Sequence, residues 1–92
     1  MFYVICYDIV NDKRRRRVVK YLESYGVRIQ YSVFESELNK IQLNKLTKGL
    51  SKEINKKEDS IRIYSLCAEC RKQIMGIGLD KGRFYDEDYI VI

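Results

Sequence analysis

The sequence predicts a two-layer α+β sandwich in which two helices cover one face of a sheet. Three segments have the apolar runs or two-residue alternation of strands. The two segments between them carry apolar residues at the three- and four-residue spacings of helices. Strand, helix, strand, helix and strand in this order favour two helices on the same face. The other face of the sheet would then be left for a second copy to cover.

Length and composition limit the function classes. A chain of 92 residues with 46% hydrophobic and 34% charged residues makes one globular domain. It has no histidine, so catalysis would depend on carboxylates, cysteines, a tyrosine or bound water. Because no apolar run reaches the ~18 residues of a membrane span and no basic leader opens the sequence, we expect a soluble cytoplasmic protein.

The first predicted strand covers residues 2–9, a nearly continuous apolar run typical of a strand buried on both faces. Alternation places Asp8 on the same face as Val4 and Cys6. We therefore expect the Asp8 carboxylate to lose water and to need a cation.

The first predicted helix covers residues 13–25. Asn11 or Asp12 is its expected N-cap, and Gly26 its expected C′ stop. Its inward stripe consists of Val18, Val19, Leu22 and Tyr25.

Four consecutive arginines open this helix, at Arg14, Arg15, Arg16 and Arg17, within a chain of net charge +5. Cations at a helix N-terminus oppose the helix dipole, so an anion should compensate. Phosphates would do so by accepting from the guanidinium groups and free amides. A solvated basic face is the alternative. We favour phosphate, with Arg15 turned inward near Asp8.

Residues 27–35 form one strand or two short strands meeting at a bend. Arg28 shares a face with Phe34, facing either a subunit interface or a ligand. A second helix follows its N-cap Asn39, with a core stripe of Leu43, Leu46, Leu50 and Ile54. Alternation predicts a strand over residues 60–66.

The three cysteines are Cys6, Cys67 and Cys70. The CAEC segment has the spacing of a zinc knuckle, but zinc takes four ligands, so such a site would need a second chain. We interpret CAEC as a turn with two buried or half-buried thiols. Another short strand is expected near residues 71–78, and the apolar end, residues 89–92, is expected to join a sheet edge of this chain or of another subunit.

Asp8 has two simple interpretations, an acid satisfied by turn amides or an ion-pair partner of Arg15. A metal site needs more, because Mg²⁺ is usually held by one or two carboxylates plus phosphate oxygens and water. A two-fold dimer would bring in a second Asp8 and place the ion on the axis, between arginines of both chains.

Residues 7–35, YDIVNDKRRRRVVKYLESYGVRIQYSVFE, resemble the N-terminal signature of the CRISPR-associated protein two family. The resemblance extends to about residue 67. It implies a single ferredoxin-like βαββαβ domain over residues 1–92, with residues 27–35 as two strands. It also implies a homodimer through the sheet faces and a C-terminal strand, about 88–92, that crosses to the partner.

The resemblance also implies roles for particular residues. Asp8 is expected to bind Mg²⁺, for which Mn²⁺ can substitute. The residues matched to catalytic positions are Asp8, Tyr7, Arg15 and Arg17. The nucleic-acid contacts would be Arg14, Arg15, Arg16, Arg17 and Arg28. The interface residues would be Phe34, Tyr89, Ile90, Val91 and Ile92.

Three functions follow as hypotheses. The first is a magnesium-dependent endonuclease on single-stranded RNA or on DNA that acts in CRISPR spacer acquisition with the integrase. The second is a non-catalytic scaffold that binds duplex DNA and bridges integrase dimers. The third is an RNA-recognition sheet that stacks bases on Tyr3, Tyr7 and Tyr64, which is disfavoured because the sequence lacks the corresponding octamer.

Overall fold

The fold is a ferredoxin-like βαββαβ sandwich, as expected. The computed structural model describes residues 1–78 and the backbone of Ile90–Val91. The elements are β1 (Phe2–Asp8), α1 (Asp12–Glu23), β2 (Val27–Gln30), β3 (Val33–Glu37), α2 (Lys40–Glu53), β4 (Ser60–Leu66), α3 (Ala68–Arg71), β5 (Met75–Gly76) and β6 (Ile90–Val91). The main sheet has the order β2-β3-β1-β4, and all its neighbouring strands are antiparallel.

Residues 27–35 contain two strands, which confirms that alternative. The chain turns at Tyr31 and Ser32, and the register of β2 against β3 shifts between Arg28 and Gln30. Such a shift bends the edge strand and redirects its side chains.

The hydrophobic core lies between the sheet and the two long helices. Its buried residues are Ile5, Tyr7, Ile9, Val18, Leu22, Phe34, Leu38, Leu46 and Leu50. Phe34 is 0% exposed because its register partner is Ile5, which places both side chains on the helix side of the sheet. The prediction of Phe34 as an interface residue is therefore wrong.

Neither of the two long helices lies on the opposite face of the sheet, where Arg71 of the short helix α3 lies over the Phe2 ring. Val4, Cys6 and Asp8 lie on it, beside Arg62 and Tyr64 of β4. Since nothing in the described part of the chain covers the end of β1, Asp8 is exposed. The expectation that its carboxylate loses water is therefore wrong for a single chain.

The structure also contradicts the hypothesis that the sheet stacks bases on three tyrosines. Tyr7 is 5% exposed and Tyr3 packs against the core, so both rings belong to the helix side. Of the three proposed platform residues, Tyr64 alone stands on the open face, where it is 47% exposed.

Helix α1 begins as predicted but ends differently. Asn11 Oδ1 accepts from the Arg14 amide at 2.8 Å, and Ser24 is the C-cap. Gly26 is not in the left-handed region, which among the described residues is occupied by Gly78 alone. A Cβ at Gly26 would lie 2.2 Å from the Glu35 carbonyl oxygen. Glycine is required there by close backbone approach and not as a left-handed helix stop.

Helix α2 has the predicted cap and stripe. The Asn39 side chain accepts from the Gln42 amide, and the Gln42 side chain accepts from the Asn39 amide, both at 2.8 Å. This reciprocal pair is a capping box. Leu46 and Leu50 are buried beneath the helix, as expected from their spacing.

The segment after β4 differs from prediction at its thiols. Cys67 and Cys70 are exposed, so the expected burial is wrong. Cys67 is instead the N-cap of α3, and its Sγ accepts from the Cys70 amide at 3.5 Å. A sulfur at a cap can remain near solvent because its partner is a backbone amide on the same turn.

The predicted terminal strand exists at β6, which pairs in parallel with β5 of the same chain. Tyr89 and Ile92 lie outside the described residues, so that part of the prediction is untested, as is the crossing to a partner. None of the described helices has the length and apolar character needed to span a bilayer.

Candidate functional site

A shallow depression of about 410 Å³ lies at the end of β1. Its lining residues are Tyr7, Asp8, Ile9, Arg15, Tyr31 and Ser32. The structure thus places Asp8 and Arg15 around one depression, as the sequence predicted. They form no ion pair with each other within the described residues. Arg15 instead pairs with Asp12, and its Nη1 donates to the Ile9 carbonyl oxygen at 3.0 Å.

A basic groove adjoins this depression between α1 and the edge strand β2. The groove has a volume of about 580 Å³ and is lined by Arg15, Arg16, Val19, Lys20, Glu23, Arg28 and Tyr31. Four of these side chains are cationic and one is anionic. In the described part of the chain, Arg16, Lys20 and Arg28 form no ion pair, so their charges are available to an anionic ligand.

The carbonyl oxygen of Tyr31 connects the groove to the core. It accepts from Tyr7 Oη at 2.8 Å and from Arg28 Nε and Nη2 at 3.2 and 2.7 Å. Burial is the main cause of a raised pKa at Tyr7, and the nearby Arg28 charge opposes it. The Tyr7 hydroxyl is therefore held protonated as a structural donor, which positions the β2–β3 turn.

Tyr7→Phe tests this positioning role. We expect the free energy of unfolding to fall by about 1 kcal/mol, the net value of one buried hydrogen bond, because the ring remains packed. Urea denaturation measures the change. Tyr64→Phe, which removes a half-exposed hydroxyl, should change stability by less than about 0.5 kcal/mol. Equal stability of Tyr7→Phe and wild type would contradict the assignment.

Arg14, and not Arg15, is the arginine that turns inward most. Its side chain is 17% exposed, against 30% for Arg15. Arg14 Nη2 donates to Oδ1 of the buried Asp59 at 3.1 Å, and Asp59 also accepts from the Val10 and Asn55 amides. The expectation that Arg15 turns inward is corrected here, because the acid that attracts a guanidinium group into the interior is Asp59.

Asp59 was missed by the sequence analysis, which assigned no role to any residue between the second helix and the strand at residues 60–66. The Arg14 guanidinium holds the pKa of the Asp59 carboxyl well below its usual range, and the hydrogen bond also raises the pKa of Arg14. Asp59 ties the loop after Asp8 to the start of β4. A lone acid in a polar turn gave no sequence signal for this long-range role.

The remaining arginines of the run diverge. Arg17 faces α2, where its Nε donates to Glu53 at 3.2 Å, and it does not line the depression or the groove. Arg16 is exposed along the groove. The four consecutive arginines therefore point in different directions around α1, and Arg17 is not brought to Asp8.

The residues of one chain fit part of a metal site better than a whole one. The described residues contain no group of three or more cysteine, aspartate or glutamate side chains suited to hold an ion. Asp8 is an exposed carboxylate without an ion-pair partner among those residues. One or two such carboxylates, completed by phosphate oxygens and water, suit Mg²⁺. Asp8 fits that role if a second subunit or a nucleic acid supplies the other ligands.

Comparison with known proteins gives consistent matches. The family model of CRISPR associated protein Cas2 matches residues 1–74. A CRISPR-associated endoribonuclease Cas2 of Rhodospirillum rubrum is 43% identical over 90 residues, covering 98% of this chain and 73% of that protein.

Two solved structures share the fold. Streptococcus pyogenes Cas2 has a TM-score of 0.69 and 35% identity, covering 73% of this chain and 87% of that chain. A chain of a partial Cas6-RT-Cas1–Cas2 complex has a TM-score of 0.62 and 37% identity, covering 78% of this chain and 84% of that chain.

Proposed function

Because the chain belongs to the family of CRISPR-associated Cas2 proteins, we propose that it is a magnesium-dependent endonuclease of CRISPR spacer acquisition that cleaves single-stranded RNA or DNA. The observation that carries the proposal is the exposed carboxylate of Asp8 beside Arg15 and a basic groove. The endoribonuclease name of the R. rubrum relative supports nuclease activity. The neighbour from a complex with Cas1 supports the integrase as a partner.

The active unit is proposed to be a homodimer. One chain offers a single carboxylate at the end of β1, on a sheet face that carries apolar and aromatic side chains such as Val4, Cys6 and Tyr64. A two-fold contact through this face buries those side chains and brings two copies of Asp8 toward the axis. The partner then supplies a second carboxylate for the ion.

Each residue of the site has a distinct part in the proposed reaction. When bound, Mg²⁺ supplies Lewis-acid polarisation of the scissile phosphate and a lowered pKa for the attacking water. Asp8 holds the ion, and Arg15 stabilises negative charge that develops on the phosphate. Arg16, Lys20 and Arg28 bind neighbouring phosphates. Tyr7 is a positioning residue, and Arg17, held by Glu53, lies outside this group.

Metal removal tests the proposal directly. Treatment of highly purified protein with a chelator is expected to abolish cleavage of a single-stranded RNA, and either Mg²⁺ or Mn²⁺ should restore it. The release of labelled fragments measures the rate. Ca²⁺ serves as the control, because it neutralises the same charge but accepts a more flexible coordination geometry than Mg²⁺. Cleavage that persists at full rate in chelator would refute metal dependence.

A scaffold function is the second candidate. It is favoured by the groove itself, in which three cations lack ion-pair partners within the described residues, and by the similarity to a chain from a Cas1–Cas2 complex. A scaffold would bind duplex DNA through phosphates, and Asp8 would be dispensable. Each phosphate that the dimer neutralises would add about −0.9 to the slope of log affinity against log salt.

A further inference from the structure

Tyr31 is strongly exposed, with 76% of its surface accessible. It stands at the turn between β2 and β3. Its side chain borders both the depression that contains Asp8 and the basic groove. A large aromatic ring kept in solvent at the junction of two such surfaces gains little stability from burial, so the core does not explain it.

The ring of Tyr31 is nevertheless held in place. The Arg28 guanidinium carbon lies 5.2 Å from the ring centroid, in the range of a cation–π contact. Arg28 is itself fixed by its two hydrogen bonds to the Tyr31 carbonyl oxygen, which also accepts from the buried Tyr7. One face of the ring is therefore occupied by a fixed cation, and the rest is presented to solvent in a preorganised position.

The charges around Tyr31 suit a polyphosphate chain. Arg15, Arg16 and Lys20 of α1 line the groove on the side opposite Arg28, and Glu23 is the single acid among the described residues that line it. An aromatic platform beside a cationic groove is the combination that binds single-stranded nucleic acid, because phosphates follow the cations while an unpaired base stacks on the ring. Bases within a duplex are already stacked on each other and cannot use such a ring.

We propose that Tyr31, oriented by Arg28, is a stacking site for an unpaired nucleobase of a single-stranded nucleic acid whose backbone follows the basic groove. This inference rests on the nucleic-acid binding in the proposed function and adds a specific subsite to it. Because Tyr31 and Arg15 border the same depression as Asp8, a base stacked on Tyr31 places a neighbouring phosphate on the side where Asp8 lies. The site thus selects substrates with an unpaired base next to the bond to be cut.

The test compares oligonucleotides with and without bases. Fluorescence anisotropy measures the Kd of full-length protein for a labelled oligothymidylate of about ten nucleotides, within the range that single-strand sites cover. A second probe has the same backbone with abasic residues, and an oligouridylate probe distinguishes RNA from DNA. All measurements are made in chelator, so that no cleavage interferes.

Tyr31→Ala is expected to raise the Kd for the base-containing strands about tenfold, the usual effect of losing one stacking contact. Tyr31→Phe keeps the ring and should stay within about twofold of wild type. Neither variant should change the Kd for the abasic strand. Lys20→Ala is the matched groove variant. It should weaken base-containing and abasic strands alike and reduce the salt slope by about 0.7, the value for one phosphate of a single strand.

The following results would contradict the stacking site at Tyr31. An unchanged Kd for Tyr31→Ala on the base-containing strands, or an equal loss on the abasic strand, would show that the ring does not stack on a base. If wild type binds no oligonucleotide, the nucleic-acid part of the proposed function fails together with the site. If wild type binds but Tyr31→Ala has no effect, only the stacking site fails. Because Tyr31 is exposed, an unchanged Tm confirms that the variants are folded.

Discussion

Asp8→Asn is expected to lower the rate of magnesium-dependent cleavage by at least about 100-fold, because metal-ion stabilisation of the transition state is worth several kcal/mol and each 1.36 kcal/mol is a factor of ten. Among the described residues that line its depression, Asp8 is the only acid. The amide removes the charge that an ion needs and changes the shape of the side chain little. Single-turnover cleavage of a labelled RNA measures the loss.

Binding separates lost chemistry from lost affinity. Asp8→Asn removes one negative charge from the surface beside Arg15, so affinity for the RNA in chelator should stay equal or increase. Glu69→Gln is the matched control, since it makes the same charge change at an exposed acid of α3 and should cleave like wild type. Cleavage by Asp8→Asn at the wild-type rate would refute the nuclease assignment. Retained spacer integration by a variant that no longer cleaves would favour the scaffold function.

Asp59→Asn is expected to lower the Tm by at least about 10 °C at fixed protein concentration, because breaking a buried ion pair is strongly destabilising and Arg14 keeps only its exposed partner Glu58. Asp59 accepts from Arg14 and from the amides of Val10 and Asn55, so it joins α1, the loop after β1 and the turn before β4. Thermal unfolding followed by circular dichroism measures the change. Glu58→Gln, which removes the exposed partner of the same arginine, should cost no more than about 4 °C.

The Asp59 pair also predicts a pH dependence. Its folded pKa is depressed, so its contribution to stability is fully present above the unfolded value near 4 and is lost as the pH falls through the lower folded pKa. Wild type should therefore lose Tm more steeply than Asp59→Asn as the pH is lowered from about 5 to about 2. Parallel curves for the two proteins would show that Asp59 is not the group responsible.

Local signals in the sequence were sufficient for most of the elements. The capping side chains of Asn11 and Asn39 begin the two long helices, and the alternation over residues 60–66 marks β4. Each of these signals acts within a few residues, through a cap hydrogen bond or through the period of a strand or helix. The Tyr-Asp pair at the end of β1 and part of the basic run that follows line the depression and the groove of the candidate site.

The tertiary structure decided which side chains meet across the chain. It exposed Asp8 because neither long helix covers the sheet face on which Asp8 lies, and it buried Phe34 opposite Ile5 through the β1–β3 register. It also joined Arg14 to Asp59, 45 residues away, and placed Arg17 toward α2. Sequence patterns report the period of a segment, but these outcomes depend on register, on the rotation of each helix and on loop paths, which are set only when distant segments pack together.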